Sequence, residues 1–391
     1  MGIAMYDFDT VIDRRGTYSV KYSPASHGLP EDVLPMWVAD MDFAAPPCVS
    51  DALAKQAAHG VYGYSEPDDG YFDILREWYI KRFGWSTERK WVIVTPGVVN
   101  AIYAAIQALT DPGDRITIQQ PVYGPFASSV RNTGRQLLVN RLVYENGGYG
   151  IDFDDFEKKI KQSKMFILCS PHNPAGRVWR QAELTQMGDI CLRHGVIVIS
   201  DEIHQDFVYP GNEHHVFAGP DGRFADISVI CTAPSKTFNL AGMPHSNIFV
   251  SNDKMREKIE NVYVRNGLGS PDVMGIIACR AAYAGGGGWL DGLVRYLEGN
   301  MACIREFLKT QLPAIGFAKP EGTYLAWFDC TRTGLSASEL DDLLINKGRL
   351  WLNNGKYFGA GGEGFMRMNA ACPRSVLEEG LRRLKKAFGS M

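Results

Sequence analysis

Six short, almost wholly apolar runs recur between Trp91 and Ser251, and they constrain the fold more than any other feature. They are WVIVTP from Trp91, RITIQ from Arg115, KMFILCS from Lys164, GVIVISD from Gly195, ISVICTA from Ile227 and SNIFVS from Ser246. Each has the length of a strand, and strands buried on both faces read this way because helices cover both sides of their sheet. Segments of helical periodicity lie between several of them. VNAIYAAIQALTDPGD spaces its apolar residues for one helix face and stops at Pro112-Gly113, and AELTQMGDICLRHG reads as a helix ending near Gly195. The alternation predicts an α/β architecture with a mostly parallel or mixed sheet from about Trp91 to Val250.

The two ends read differently. Residues 1–45 are rich in Pro, Asp and aromatics and suggest an extended arm that also contributes to a smaller domain. Residues 46–285 make the large domain. Gly285 to Gly288 read as a mobile loop, since nothing beside them supplies phosphate-binding chemistry. Residues 286–391 then predict a smaller α+β domain: a long helix from about Trp289 to Thr310, a strand in GTYLAWFD, a helix near Ser336 to Asn346 and a last helix from Arg374. A chain of 391 residues exceeds what one core normally serves, so two domains or one large α/β domain with an appendage are expected.

Charge and cysteine usage narrow the partners. A net charge of -3 without a basic run argues against nucleic acid, which needs a clustered positive field. No apolar run reaches the ~18 residues that a bilayer span requires, and the N-terminus has neither a signal-peptide core nor a myristoylation pattern. The eight cysteines are scattered, with no C-x-x-C pair, and several lie in apolar runs. They read as buried free thiols in a reducing cytoplasm.

Polar residues gather just past the buried strands. CSPHNPAG, SDEIHQD and TAPSKTFN each follow one, and TPGVVN passes from strand to helix through Gly97. The carboxyl edge of an open α/β sheet is where ligands bind, and a helix start is an anion site. Together these segments offer a lysine (Lys236), an acid (Asp201), an amide (Asn173) and a phosphate cradle (Gly97, Val98, Val99). Pyridoxal 5'-phosphate (PLP) needs that set: a lysine for a Schiff base, a carboxylate for the pyridine nitrogen, an amide for the phenolic oxygen and N–H groups for the phosphate. Lys236 stands in a run with no other charge, and an apolar setting lowers a lysine pKa so that it acts as nucleophile and base. Plainer roles stay open for each residue: a surface lysine, a loop acid at Asp201, a turn-forming Asn173 before Pro174, a core tyrosine at Tyr123. A zinc site at His204 with Glu202 and Asp206 lacks a second His or Cys at ligand spacing.

Eight segments, LPMWVADMDF, YGYSEP, QPVYGPF, SPHNPAGRVW, SDEIHQDF, APSKTFNLAG, GTYLAWFD and FMRMNAACPR, occur in this order across essentially the whole chain. In this the sequence resembles the fold-type I, aspartate aminotransferase-like PLP enzymes, and within them the cystathionine β-lyase-like C–S lyases. The resemblance implies the aspartate aminotransferase-like fold, with a mostly parallel sheet between helices in the large domain and a smaller α+β domain. It implies Lys236 as the Schiff-base lysine, Asp201 as the pyridinium partner, Asn173 and His204 near the ring 3-oxygen and Tyr123 stacked over the ring. Ser235 and the Gly97, Val98, Val99 turn match the phosphate site. Tyr64 matches a tyrosine that crosses to the neighbouring subunit's phosphate, which implies a homodimer with shared sites. Arg367 matches the clamp on the substrate α-carboxylate, with Trp37 and the Ala39 backbone lining that side, whereas Arg374 reads as structural. The implied activity is β-elimination from cystathionine or another S-substituted L-cysteine, giving a thiol, pyruvate and ammonia; an aminotransferase shares the early steps. One departure bears on that choice. Many aminotransferases of this fold place an arginine eight residues beyond the lysine, where this chain has Pro244, and the C–S lyases also lack that arginine.

Overall fold

The computed structural model describes residues 6–219, 221–269 and 271–389. All six apolar runs form strands, and a seventh strand joins them. In chain order they are β1 (Val92–Thr95), β2 (Arg115–Gln120), β3 (Gln136–Arg141), β4 (Met165–Cys169), β5 (Ile197–Asp201), β6 (Ser228–Thr232) and β7 (Ser246–Phe249). The sheet order is β1-β7-β6-β5-β4-β2-β3. β7 runs antiparallel to both its neighbours and every other pair is parallel. β1 to β6 therefore all end on one edge. β3 had no counterpart among the apolar runs: its polar ends, Gln136 and Arg141, are exposed, Leu137, Leu138 and Val139 are only half-buried, and only Asn140 within it is buried.

Burial on both faces explains the apolar runs. Met165, Ile167 and Cys169 of β4 enter one core with Ile116, Ile118, Ile199 and Val229, under the helices Val98–Leu109 and Asp253–Arg265. Phe166 and Leu168 enter the opposite core with Val198, Ile230, Tyr79 and Met187. At about 1.5–3 kcal/mol for each fully buried large apolar side chain, this alternation fixes the register, since a one-residue slip would exchange the two cores.

A second, antiparallel sheet has the order Gly316–Phe317, Leu325–Asp329, Phe365–Asn369, Asn353–Asn354. The helices Gly287–Gln311 and Arg374–Phe388 bury apolar residues in the core around it. The N-terminal segment joins this part of the molecule, with Leu34–Pro35 pairing in parallel with Leu350–Trp351. A backbone stitch links the two sheets. Thr323 N donates to Phe207 O and Tyr209 N to Glu321 O, both at 2.9 Å, while the Glu321 and Gly322 amides both donate to Gly176 O.

The glycine run is not a loop. Gly285 ends the helix Val273–Gly285, Gly287 begins the helix Gly287–Gln311, and Gly286 alone joins them. The reason is steric. A Cβ on Gly286 would lie 2.5 Å from Ala282 O and 2.6 Å from the Phe238 ring. Gly286→Ala is expected to lower stability by roughly 1–3 kcal/mol through overpacking. Gly287→Ala, whose Cβ would meet nothing closer than 3.6 Å, is expected to stay within about 1 kcal/mol of the parent. Thermal or urea unfolding of the pair checks this, and equal losses would refute it.

Candidate active site

Because the sheet is buried on both faces, its polar groups emerge where the strands end. β1 leads through Gly97, at φ 147 and ψ 156, into the helix Val98–Leu109. That backbone conformation favours glycine. The first N–H groups of a helix have no intrahelical partner, and they belong here to Val98, Val99 and Asn100. The buried Asn100 Oδ1 beside them is also without a partner. β2 leads to Tyr123, whose amide donates to Asn173 O at 3.1 Å. The turn bearing Asn173 follows β4, Asp201 closes β5 with His204 three residues on, and β6 leads into the short helix Pro234–Thr237 carrying Ser235 and Lys236.

Lys236 Nζ donates to Ala39 O at 2.6 Å, and Tyr324 Oη donates to the same oxygen at 3.0 Å. The lysine opens slightly to solvent but lies deep among protein atoms. Burial pushes its pKa down from the usual 10.5 to about 8; Arg367 acts in the same direction, while Asp40 and Asp201 oppose it. The amine is therefore available as a base near neutrality, as its uncharged sequence setting predicts. Asp201 is buried and accepts one hydrogen bond, from Ile203 N at 3.1 Å. Burial raises its pKa to about 7, against the pull of that bond and of Lys236. His204 is held neutral: burial lowers it to about 3, with Lys236 and Arg367 adding to the effect.

Arg367 reaches the same place from the second sheet. Its Nη1 donates to Asn173 Oδ1 at 3.0 Å, and its Nη2 donates to Trp37 O at 2.7 Å and Asn353 Oδ1 at 2.6 Å. Burial lowers its pKa to about 10, so it remains a cation at neutral pH. Trp37 joins the site through its carbonyl, while its ring stacks on Trp351 at 4.2 Å. Tyr123 lies close enough to Asp201 and Arg367 to feel both charges, and burial raises its phenol to about 12. Ser235 is partly exposed beside Lys236.

The structure thus unites Lys236, Asp201, Asn173, His204, Arg367, Trp37 and Ala39 around one centre, with Tyr123, Ser235 and the Gly97–Val99 turn on the same sheet edge. Tyr64 stays apart, fully exposed on the stretch that also exposes Val61 and Tyr62. Arg374 makes a contact away from this centre: its Nε donates to Asn300 Oδ1 at 2.9 Å. Glu202 and Asp206 are engaged elsewhere, Glu202 with His214, Ser200 and Phe217 and Asp206 with Thr237. Sequence reasoning passed over Asn353, Tyr324 and Asp40. Asn353 lies in no motif, and Asp40 and Tyr324 lie within LPMWVADMDF and GTYLAWFD without a local sign of their own; all three reach the site only through long-range packing.

The donor set fits PLP. A buried carboxylate with a single backbone donor suits a ring N–H, a lysine of lowered pKa suits an aldehyde, an amide suits the phenolic oxygen, and a helix start suits the phosphate. Arg367 Nε and His204 Nδ1 are buried with no protein partner, so the centre holds unspent hydrogen-bonding capacity.

The raised Asp201 pKa has a signed consequence. The group's pKa is above its usual 3.8 in the fold. Its stabilising contribution is therefore full below pH ~4 and is lost as pH rises through about 7. Asp201→Asn is expected to stabilise the cofactor-free protein by on the order of 1–3 kcal/mol at pH 8 and by much less at pH 4.5, while weakening its stabilisation by added PLP. Unfolding at both pH values, with and without PLP, tests this. An equal difference at both pH values would refute it.

A family model for aminotransferase class I and II matches residues 31–384. Cystathionine beta-lyase PatB of Bacillus subtilis (strain 168) is 45% identical over 386 residues, spanning 98% of this chain and 100% of PatB. A solved PLP-bound protein from Clostridium difficile 630, described as a "putative aminotransferase", superposes with a TM-score of 0.96 at 42% identity, covering 98% of this chain and 100% of its own. Cystalysin from Treponema denticola, which contains pyridoxal 5'-phosphate, superposes with a TM-score of 0.95 at 38% identity, covering 99% of each chain. With the family model spanning nearly its whole length, this chain belongs to the aminotransferase class I and II family.

Proposed function

We propose that this chain is a PLP-dependent carbon–sulfur β-lyase that cleaves cystathionine or related S-substituted L-cysteines to a thiol, pyruvate and ammonia. The observation that carries the reading is the pairing of Lys236, a buried amine of lowered pKa, with Arg367, a buried guanidinium bonded across to Asn173. The first is a base and the second an anchor for an amino-acid carboxylate. The 45% identity to PatB over the whole chain and Pro244 in the place of an arginine favour elimination over transamination.

The cofactor supplies an electron sink conjugated to the substrate α-carbon. The chain's own groups do the rest. Asp201, as carboxylate, holds a proton on the ring nitrogen. Asn173 and the neutral His204 would serve the ring's phenolic oxygen, and Tyr123 would cover the ring as an uncharged phenol. The Gly97–Val99 amides and the Ser235 hydroxyl would hold the phosphate. Arg367 turns its fork to the substrate carboxylate, a geometry that planar guanidinium favours, with Trp37 and Ala39 lining that side. Lys236, displaced by the substrate amine, would be free to take the α-proton. The Cβ–S bond would then break with the thiolate leaving on the bonding pair, Lys236 would displace the remaining unsaturated amine, and water would hydrolyse that amine to pyruvate and ammonia. Residues 46–285 act as the large domain and residues 286–391, with the arm of residues 1–45, as the smaller one.

The working unit is a cytoplasmic homodimer in which Tyr64 completes the partner's phosphate site. Support comes from the exposed apolar stretch Val61, Tyr62 and Tyr64 and from the eight free cysteines. No helix among the described residues is long and apolar enough to cross a membrane. A second reading, aminotransferase, is favoured by the Clostridium difficile description and uses the same residues.

Purified protein should absorb near ~420 nm when PLP is bound. It should release pyruvate and homocysteine together from L-cystathionine without a keto acid, and Lys236→Ala should abolish both. Absorbance without pyruvate, but with conversion to the pyridoxamine form on adding amino acids, would establish the aminotransferase instead. For the shared site, Tyr64→Ala mixed with Lys236→Ala should regain up to roughly a quarter of parental activity, because half the dimers then hold one complete site. A mixture no more active than its components would exclude sharing.

A further inference from the structure

The amine of Lys236 rests on a carbonyl that the N-terminal arm holds in place. Residues 38–43 are pinned from two sides. On one, Asn369 Nδ2 donates to Val38 O and Asp40 O, while Asn239, three residues past Lys236, donates to Met41 O and Phe43 O and accepts from Met41 N. On the other lies the arm. Arg14 Nη2 meets Asp40 Oδ2 at 2.7 Å, and its Nη1 meets Asp42 Oδ1 at 2.8 Å and Met41 O at 3.2 Å. Lys21 Nζ meets Asp42 Oδ2 at 2.7 Å and lies 3.8 Å from Asp40 Oδ1. Lys21 is only 1% exposed and Asp42 5%, so that pair is desolvated, while Arg14 and Asp40 beside it are partly buried at 21% and 17%. Removing one member leaves an uncompensated charge there.

That charge would face Lys236. The charged and titratable groups around the lysine are Asp40 from the pinned segment, Asp201 from β5, His204 from the turn after it, Arg367 from the second sheet, and Tyr324, which shares Ala39 O. Asp40 favours the ammonium form, and Arg14 and Lys21 neutralise Asp40. We propose that Arg14, supported by Lys21, is a positioning residue for Lys236: through Asp40 it fixes the Ala39 carbonyl under the amine and keeps the local field low enough for the amine to lose its proton. The arm is thus part of the catalytic apparatus without touching substrate.

This inference rests on Lys236 being the residue that binds PLP. The neutral amine adds to the PLP aldehyde, a C=N bond forms and water leaves; the ammonium form must first give its proton to solvent. The rate at which cofactor-stripped protein takes up PLP should therefore follow the neutral fraction of Lys236 across pH 6 to 10. Arg14→Gln unmasks Asp40 and should move the midpoint up by roughly half a pH unit or more. Asp40→Asn removes the acid and should move it down, and Arg14→Lys should restore the parental value. Opposite shifts from two substitutions in one cluster are not what general loss of packing produces. Coincident midpoints, or shifts of the same sign, would overturn the proposal. Should Arg14→Gln fail to fold, Asp40→Asn decides alone, with a downward shift in favour and any other result against. Loss of the underlying reading would look different: Lys236→Ala would take up PLP covalently like the parent, or the parental rate would not vary with pH.

Discussion

A sheet buried on both faces leaves nowhere for polar chemistry except its ends. β4 has no exposed residue along its length, and β5 and β6 are nearly the same. A charged side chain in the middle of any of them would face a dense apolar core. The acid therefore sits at the last residue of its strand, Asp201, and the amide and the lysine each four residues past theirs, at Asn173 and Lys236. The parallel arrangement brings these ends to one edge. The second sheet supplies what the first cannot, a buried guanidinium at Arg367, carried on a strand whose other residues are also buried.

The electrostatics follow from the same burial. Desolvation lowers Lys236 and His204 and raises Asp201 and Tyr123. Each group is thereby biased toward neutrality in the cofactor-free chain. Arg367 remains a cation despite its burial, with Asn173, Trp37 and Asn353 accepting its hydrogen bonds. A carboxylate-bearing substrate would meet a cation already held in the site, and the cofactor would meet an acid whose ionisation it relieves.

Much of this was legible in the sequence, for identifiable reasons. Six strands announced themselves because burial on both faces makes most of their residues apolar. The site residues followed because they sit at fixed offsets from those strands. β3 was silent because its residues are mostly half-buried or exposed and its ends are polar, and the glycine run misled because close helix packing and a loop both select glycine. Asn353 lies in no motif, and Tyr324 and Asp40, though inside GTYLAWFD and LPMWVADMDF, gave no signal of their own. Their roles exist only once strands 325–329 and 365–369 and the N-terminal segment come together. Tyr64 is a separate case: its surroundings in this chain are solvent, and the resemblance alone assigned it a task.

The backbone stitch between the sheets has a mechanical meaning. Gly176 lies three residues from Asn173, and Phe207 three from His204, so the second sheet is fastened next to the residues it must cooperate with. Gly322 fits there because a Cβ would lie 2.5 Å from Phe207 O, which makes the seam stiff. A rocking of the second sheet would pivot at that seam. Asn173 and His204 would lie near the axis, and the helix Ala337–Asp342 would travel with the sheet's outer strand, to which Asn354 Nδ2 ties it through Ala337 O. Such a motion would leave the Asn173 and His204 side of the site nearly in place while the outer strand shifted, with Arg367 at the boundary between them.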